Sequence, residues 1–134
     1  MGGLISVYLA LSRPHLFSRV AGQSSALFFE EEKLTTLAAR LSDSISFYFD
    51  VGEFEAQFIP AHRRLVALLE SKGCRCQYRQ VPGGHNWTTW RGHIKELLTF
   101  LWGQKAGIRT ERDIKTELAL ESVIHDDSAP VRRN

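Results

Sequence analysis

The sequence predicts an α/β fold in which about three parallel strands alternate with flanking helices along residues 1–103. Three observations support this prediction. Segments with helical periodicity alternate with short runs rich in β-branched and aromatic residues, glycine or proline marks most segment ends, and the connections are long enough for right-handed crossovers. A composition of 43% hydrophobic and 24% charged residues is that of an ordinary globular domain.

The strand predictions depend on residue type and alternation. Residues 45–51 combine β-branched and aromatic side chains and are followed by Gly52, which is typical of a central strand. Residues 20–26 are predicted to form a short strand that runs into a loop. Residues 74–81 alternate Cys74, Cys76 and Tyr78 with polar residues. This pattern predicts a strand at the edge of the sheet, with one face exposed to solvent.

The helix predictions follow from apolar spacing and from the residues that end each segment. Residues 4–12 are apolar all round, which predicts a buried helix that stops before Pro14. Further helices are predicted over 30–41, 60–72 and 88–102. From residue 104 to residue 134 the chain turns polar, and we expect this tail to be weakly helical or disordered.

Charge and composition disfavour several classes of protein. A net charge of +2 gives no broad basic surface, and a nucleic-acid partner is not expected. The arginines considered for such a partner do not make up a basic cluster with interleaved stacking residues; they are Arg63, Arg64, Arg75 and Arg79. The apolar run at 4–11 is far shorter than a membrane span, so no membrane partner is expected either.

The two cysteines indicate the compartment rather than a site. Cys74 and Cys76 are one residue apart, so a disulfide between them would close a small, strained loop. A reducing, cytoplasmic setting is therefore the expectation. Their spacing is not that of a zinc knuckle, so no metal is expected.

Two loops that follow predicted strands carry candidate chemistry. Glu53 and Glu55 follow the strand at 45–51, and His85 follows the strand at 74–81 on a glycine-supported loop. Working residues of α/β sheets collect at the carboxyl ends of strands. An acid followed along the chain by a histidine matches the order nucleophile, acid, histidine of hydrolases, with His85 as general base.

Three segments carry a resemblance to a known family. They are M-G-G at 1–3 before the apolar helix, F-D-V-G-E-F-E at 49–55, and G-G-H-N-W-T-T-W at 83–90. The last resembles a G-G-H-x-x-x-x-W catalytic-histidine segment. The chain thus resembles, over about residues 1–103, the C-terminal part of the enterochelin-esterase-like family of α/β hydrolases, which includes feruloyl esterases, S-formylglutathione hydrolases and mycolyl transferases.

The resemblance implies a serine esterase that acts on a small-molecule ester without a cofactor. His85 matches the catalytic histidine and Glu55 the acid, while Asp50 and Glu53 remain alternatives for the acid. The family's nucleophile lies in G-x-S-M-G-G, of which this chain has the last three letters. The serine is therefore expected directly before Met1, whose backbone N–H would line the oxyanion hole.

The missing serine leads to one expectation about activity. Ser24 and Ser25 lack the G-x-S-x-G turn of a nucleophile, so the chain alone is expected to be inactive.

Trp87 is a candidate substrate-binding residue, whereas Trp90 is expected in the core. The alternative function is a non-catalytic interaction module, derived from a hydrolase half, that associates through an open sheet edge.

Overall fold

The computed structural model describes residues 1–42 and 45–103 of the chain. Helices and strands alternate along it, in the order α1 (Gly2–Ser12), β1 (Arg19–Gln23), a 3-10 turn (Leu27–Glu30), α2 (Glu31–Ala39), β2 (Ser46–Gly52), α3 (Ile59–Ser71), β3 (Arg75–Val81), α4 (Trp87–Gly92) and α5 (Ile94–Trp102). The predicted polar tail lies outside the described residues, and the division at residues 103 and 104 stays a prediction.

The three strands form one parallel sheet in the order β1-β2-β3. Gln23 at the end of β1 pairs with Asp50, and Gly52 at the end of β2 pairs with Val81. The predicted α/β fold with a parallel sheet and flanking helices is confirmed, with β2 in the middle and β3 at an edge. Because the strands run parallel, the loops that follow β1, β2 and β3 meet at one end of the sheet.

The central strand β2 is buried on both faces. Phe47 and Phe49 are fully buried against apolar residues of α1, α2 and α3. Tyr48, which lies between them, is also fully buried, and its ring centroid is 6.0 Å from that of Phe100 in α5. Alternate residues thus serve the two faces, and each such burial contributes roughly 1.5–3 kcal/mol.

Helix α1 differs from the helix that the sequence predicts. It buries one stripe against β1 and α2, formed by Leu4, Val7, Ala10 and Leu11. Its opposite side is exposed: Ile5 is 56% exposed and Leu9 is 42% exposed. The helix is apolar on all sides, as predicted, but among the described residues it is buried on one side and exposed on the other.

The last predicted helix is two helices in the structure. Gly92 ends α4, and His93 then adopts φ −114° and ψ 6°, which interrupts the helical hydrogen bonding before α5 begins. The imidazole Nδ1 of His93 lies 2.9 Å from the carbonyl oxygen of Thr89. Glycine costs a helix about 1 kcal/mol relative to alanine, which favours a break at this point.

Candidate active site

The loop after β2 is held against the loop after β3. The backbone N–H of Glu53 donates to Val81, and the N–H of Phe54 donates to Gly83. The contact leaves no room for a side chain at Gly52, because a Cβ there would lie 2.5 Å from the carbonyl oxygen of Gly83. A glycine at the end of β2 therefore lets the two loops meet.

Glu55 is a buried carboxylate at this meeting point, with 2% of its surface exposed. Its Oε2 accepts a hydrogen bond of 2.7 Å from the backbone N–H of Gly52 and one of 2.6 Å from the hydroxyl of Ser24. Its Oε1 lies 2.6 Å from Nδ1 of His85. Both oxygens are thus satisfied, and no lysine or arginine among the described residues forms an ion pair with this carboxylate.

His85 lies on a loop that requires glycine before it. Gly83 adopts φ +129°, a conformation that other residues rarely take, and a Cβ there would lie 2.3 Å from the hydroxyl of Thr89. The His85 side chain is 53% exposed, although its partner Glu55 is buried. Since a carboxylate only accepts, the neutral imidazole donates from Nδ1 and keeps its lone pair on Nε2, where it can take a proton.

Two aromatic rings restrict the imidazole of His85. Phe58, just before α3, stacks on it with centroids 5.4 Å apart and an interplanar angle of 28°. Trp90 in α4 meets it edge to face, at 4.9 Å and 88°. These contacts limit rotation of the ring away from Glu55.

Sequence reasoning missed the part that Ser24 and Trp90 play around the acid. The hydroxyl of Ser24 accepts a hydrogen bond of 2.9 Å from the indole N–H of Trp90, in addition to the one that it donates to Glu55. Ser24 is 3% exposed and adopts φ +46°. The expectation that Trp90 is a core residue was incomplete, because its ring is partly exposed and hydrogen-bonded. One available signal was the position of Ser24, directly after a strand that ends beside Glu55.

The two rival acids lie in other surroundings. Asp50 is 1% exposed, and its Oδ2 accepts a hydrogen bond of 3.0 Å from the side-chain amide of Gln23. Burial raises the pKa of Asp50 above its ordinary value, against the opposing effect of the Gln23 hydrogen bond. Glu53 is exposed. Of the three candidate carboxylates, Glu55 is the one that is hydrogen-bonded to His85; its role as the acid stays a prediction.

The start of α1 packs against the end of β1. A Cβ on Gly3 would lie 2.0 Å from the hydroxyl oxygen of Ser25, and one on Gly22 would lie 2.2 Å from the same atom. Met1 is 77% exposed, and its carbonyl oxygen accepts from the N–H of Ile5. The first turn of α1 therefore lies beside the residue that follows Ser24, at the end of the sheet where Glu55 also lies.

Trp87 and the remaining histidines differ in exposure. Trp87 is 65% exposed, and its ring meets that of Trp90 at 6.5 Å. His62 in α3 is fully buried, and its Nδ1 lies 2.9 Å from the carbonyl oxygen of Phe58. Burial lowers the pKa of His62, and the Phe58 carbonyl and the charge of Glu55 oppose this shift. His15 is exposed, and His125 lies outside the described residues.

Within residues 1–42 and 45–103, no three His, Cys, Asp or Glu side chains are grouped to hold a metal ion. Cys74 and Cys76 are both free thiols, and burial raises the pKa of Cys76 to about 12. In the same part of the chain, none of the helices has the length and hydropathy to cross a bilayer.

A parallel α/β sheet with a histidine–carboxylate pair at its carboxyl end is an arrangement found in the α/β-hydrolase class. The model of the Esterase family, described as "Putative esterase", matches residues 1–101, and the chain belongs to this family. Its fold is similar to that of a ferulic acid esterase, with a TM-score of 0.61 and 18% identity over 75% of this chain and 47% of the other.

Two curated relatives share the name iron(III) enterobactin esterase. The protein of Escherichia coli O6:H1 (strain CFT073) is 28% identical over 111 residues, and that of Escherichia coli K12 is 27% identical over 113 residues. Each match covers 75% of this chain and 28% of the relative. The chain thus spans somewhat more than a quarter of the length of these relatives.

Proposed function

We propose that this chain supplies the acid and the histidine of a serine esterase that hydrolyses carboxylic esters without a cofactor. The observation that carries the proposal is the 2.6 Å contact between His85 Nδ1 and Glu55 Oε1 where parallel strands end. Membership of the esterase family supports it independently. Glu55 would hold the imidazole in the tautomer with a free Nε2 and stabilise the imidazolium that forms during reaction.

The reaction needs a serine that the 134 residues do not supply in a G-x-S-x-G turn. In the proposed enzyme this serine precedes Met1, and the Met1 backbone N–H is one oxyanion donor. His85 takes the hydroxyl proton as serine oxygen attacks the ester carbonyl, then returns that proton to the departing alcohol. Water, deprotonated by His85, attacks the acyl-enzyme, and the acid product leaves as serine regains the proton.

Ser24 is a poor candidate for the nucleophile despite its position after a strand. Its hydroxyl is buried and bonded to Glu55 and Trp90 rather than to His85. We therefore propose that the 134-residue chain alone is inactive. A fluorophosphonate probe should label neither Ser24 nor Ser25; labelling of either would contradict this assignment.

The ester substrate is bound beside His85, and Trp87 is proposed to contact it. Trp90 and Phe58 contact the histidine. The exposed Trp87 ring meets Trp90, and the partly exposed Phe28 ring is 5.3 Å from Phe58, so both extend this apolar surface. Such surface suits an apolar group of an ester. The two free cysteines favour a reducing compartment, and we propose the cytoplasm.

The decisive experiment reads the codons upstream of residue 1 in frame and expresses the extended chain, that is, the whole upstream reading frame with Gly-x-Ser joined to this chain. We expect this protein to hydrolyse p-nitrophenyl butyrate and His85→Ala to lower kcat by about 10³-fold or more. His15→Ala, an exposed histidine before β1, is the matched control and should leave kcat unchanged. An upstream sequence without the serine, or full activity in His85→Ala, would contradict the proposal.

A second candidate function is an interaction module that associates through its open sheet edge. The exposed apolar side of α1, with Met1, Ile5 and Leu9, lies next to β1, whose outer edge is unpaired in the described residues. Sedimentation of the purified chain distinguishes the candidates. A stable dimer that dissociates with Ile5→Lys would favour the module; a monomer would count against it.

A further inference from the structure

The hydroxyl of Ser24 has its hydrogen-bond direction fixed by its two partners. The Trp90 indole N–H can only donate, and the Glu55 carboxylate can only accept. The Ser24 hydroxyl must therefore accept from Trp90, at 2.9 Å, and donate to Glu55 Oε2, at 2.6 Å. A hydroxyl between a donor and a carboxylate in a buried site is held in one orientation.

These contacts close a ring around the acid and the histidine. Glu55 binds His85 through Oε1, Ser24 binds Glu55 through Oε2, Trp90 binds Ser24, and the Trp90 ring meets His85 edge to face at 4.9 Å. Ser24 and Trp90 are 66 residues apart in the chain. The network thus connects the end of β1, the loop after β2 and helix α4.

We propose that Ser24, together with Trp90, is a positioning residue that fixes the Glu55 carboxylate and through it the orientation of His85. This inference rests on the proposed function. The hydrogen bonds of the Ser24 hydroxyl go to Glu55 and Trp90 and not to His85, so its effect is exerted through Glu55. Without the Ser24 hydroxyl, Oε2 keeps a single donor, the Gly52 N–H at 2.7 Å, and the carboxylate can rotate away from Nδ1.

The backbone at Ser24 is also held in place by its neighbours. Ser24 adopts φ +46°, uncommon for a residue with a side chain, and its N–H donates to the Asp50 carbonyl at 2.8 Å. The Gln23 side-chain amide bonds both Asp50 and the Trp90 carbonyl, which ties α4 to the strands. Neighbouring Ser25 is equally buried, yet its hydroxyl has no hydrogen-bond partner within residues 1–42 and 45–103, so it is a natural control.

The test measures how fast the His85 Nδ1 proton exchanges with solvent, by NMR on the full ¹⁵N-labelled chain and its variants. We expect exchange to be about tenfold faster in Ser24→Ala and in Ser24→Gly, because a bond to a carboxylate is among the stronger ones. Ser25→Ala should stay within about twofold of the wild type. Trp90→Phe, which keeps a ring beside His85 but lacks the N–H, should exchange about threefold faster.

The variants distinguish a positioning role of Ser24 from a general loss of local stability. Glycine tolerates φ +46°, so Ser24→Gly removes the hydroxyl without backbone strain and remains informative if Ser24→Ala folds poorly. Unchanged exchange in Ser24→Gly and Trp90→Phe, or an equal increase in Ser25→Ala, would overturn the proposal. The measurement needs no ester, so an extended chain without esterase activity would contradict the proposed function but not this result.

Discussion

Two carboxylates are buried among the described residues, Glu55 and Asp50, and only Glu55 is hydrogen-bonded to a histidine. Where the strands end, Glu55 accepts three hydrogen bonds, and one of them comes from the half-exposed His85. Asp50 in β2 is 1% exposed and hydrogen-bonded to Gln23, and His62 in α3 is fully buried with its Nδ1 beside the Phe58 carbonyl. Burial raises the pKa of Asp50 and lowers that of His62, so it favours the neutral form of both.

Burial alone therefore does not identify a catalytic acid. Asp50 is as buried as Glu55, and it was a rival candidate from the sequence. What distinguishes Glu55 is a set of donors aimed at both oxygens and a histidine that keeps one ring nitrogen free.

The largest effect concerns the acid itself, measured as kcat for ester hydrolysis in the extended chain. Glu55→Gln presents an amide that can donate to Nδ1 and so favours the wrong tautomer; we expect kcat to fall by about 10²- to 10⁴-fold. Asp50→Asn, the matched control in the same strand end, should change kcat by less than about tenfold. A larger loss in Asp50→Asn than in Glu55→Gln would reverse the assignment of the acid.

His62 should make the fold sensitive to acid. Its pKa is lowered in the folded chain, so the unfolded chain takes up a proton first as pH falls below the ordinary value of 6.5. The stability present above pH 6.5 is therefore lost as pH falls, by at most about 1.4 kcal/mol per pH unit. In His62→Phe this loss should be smaller. Urea unfolding at pH 7.5 and 5.5 measures it, and an equal loss in both proteins would contradict the explanation.

Asp50 should have the opposite dependence on pH. Its pKa is raised in the folded chain, so its stabilising contribution is complete below 3.8 and is lost as pH rises through the raised value. Asp50→Asn can keep the Gln23 hydrogen bond without the charge. We expect its urea midpoint to exceed that of the wild type at pH 7 and the difference to shrink toward pH 4. A lower midpoint at pH 7 would show that the carboxylate is better stabilised than its burial implies.

The smallest effect concerns the exposed tryptophan beside the site. Trp87→Ala in the extended chain should raise KM about three- to tenfold and leave kcat within about twofold, since it removes contact area and no reacting group. Trp102→Ala is the control, because Trp102 is similarly exposed but lies over Arg19 at the opposite end of β1. Equal KM values for Trp87→Ala and the wild type would remove Trp87 from the substrate site.

Much of the fold could be predicted from the sequence because the pattern along each element is local. The central strand was recognised from its apolar run before Gly52, and the edge strand from its alternation. The break between α4 and α5 was not predicted because apolar residues recur at helical spacing on both sides of Gly92 and His93. In α5 that stripe is largely solvent-accessible, and Leu101 is its buried residue. A stripe predicts one helix even where backbone geometry divides it.

The candidate site could be predicted in part. His85 and Glu55 were identifiable from glycine-supported loops and from a family segment, both of which are readable along the chain. The contacts of Ser24 and Trp90 were not, because they join residues far apart in sequence and depend on side-chain orientation. The lack of a G-x-S-x-G turn argued against Ser24 as a nucleophile, but nothing along the chain indicated that its hydroxyl is bonded to the acid.

The proposed roles of Glu55 and His85 depend most on the hydrogen bond between Glu55 and Nδ1 of His85, and ¹⁵N NMR of the His85 ring tests this bond directly in the 134-residue chain. We predict that the neutral ring carries its proton on Nδ1 and is unprotonated at Nε2, and that Glu55→Ala abolishes this preference. A neutral ring protonated at Nε2 in the wild type, or the same tautomer with and without Glu55, would contradict the account.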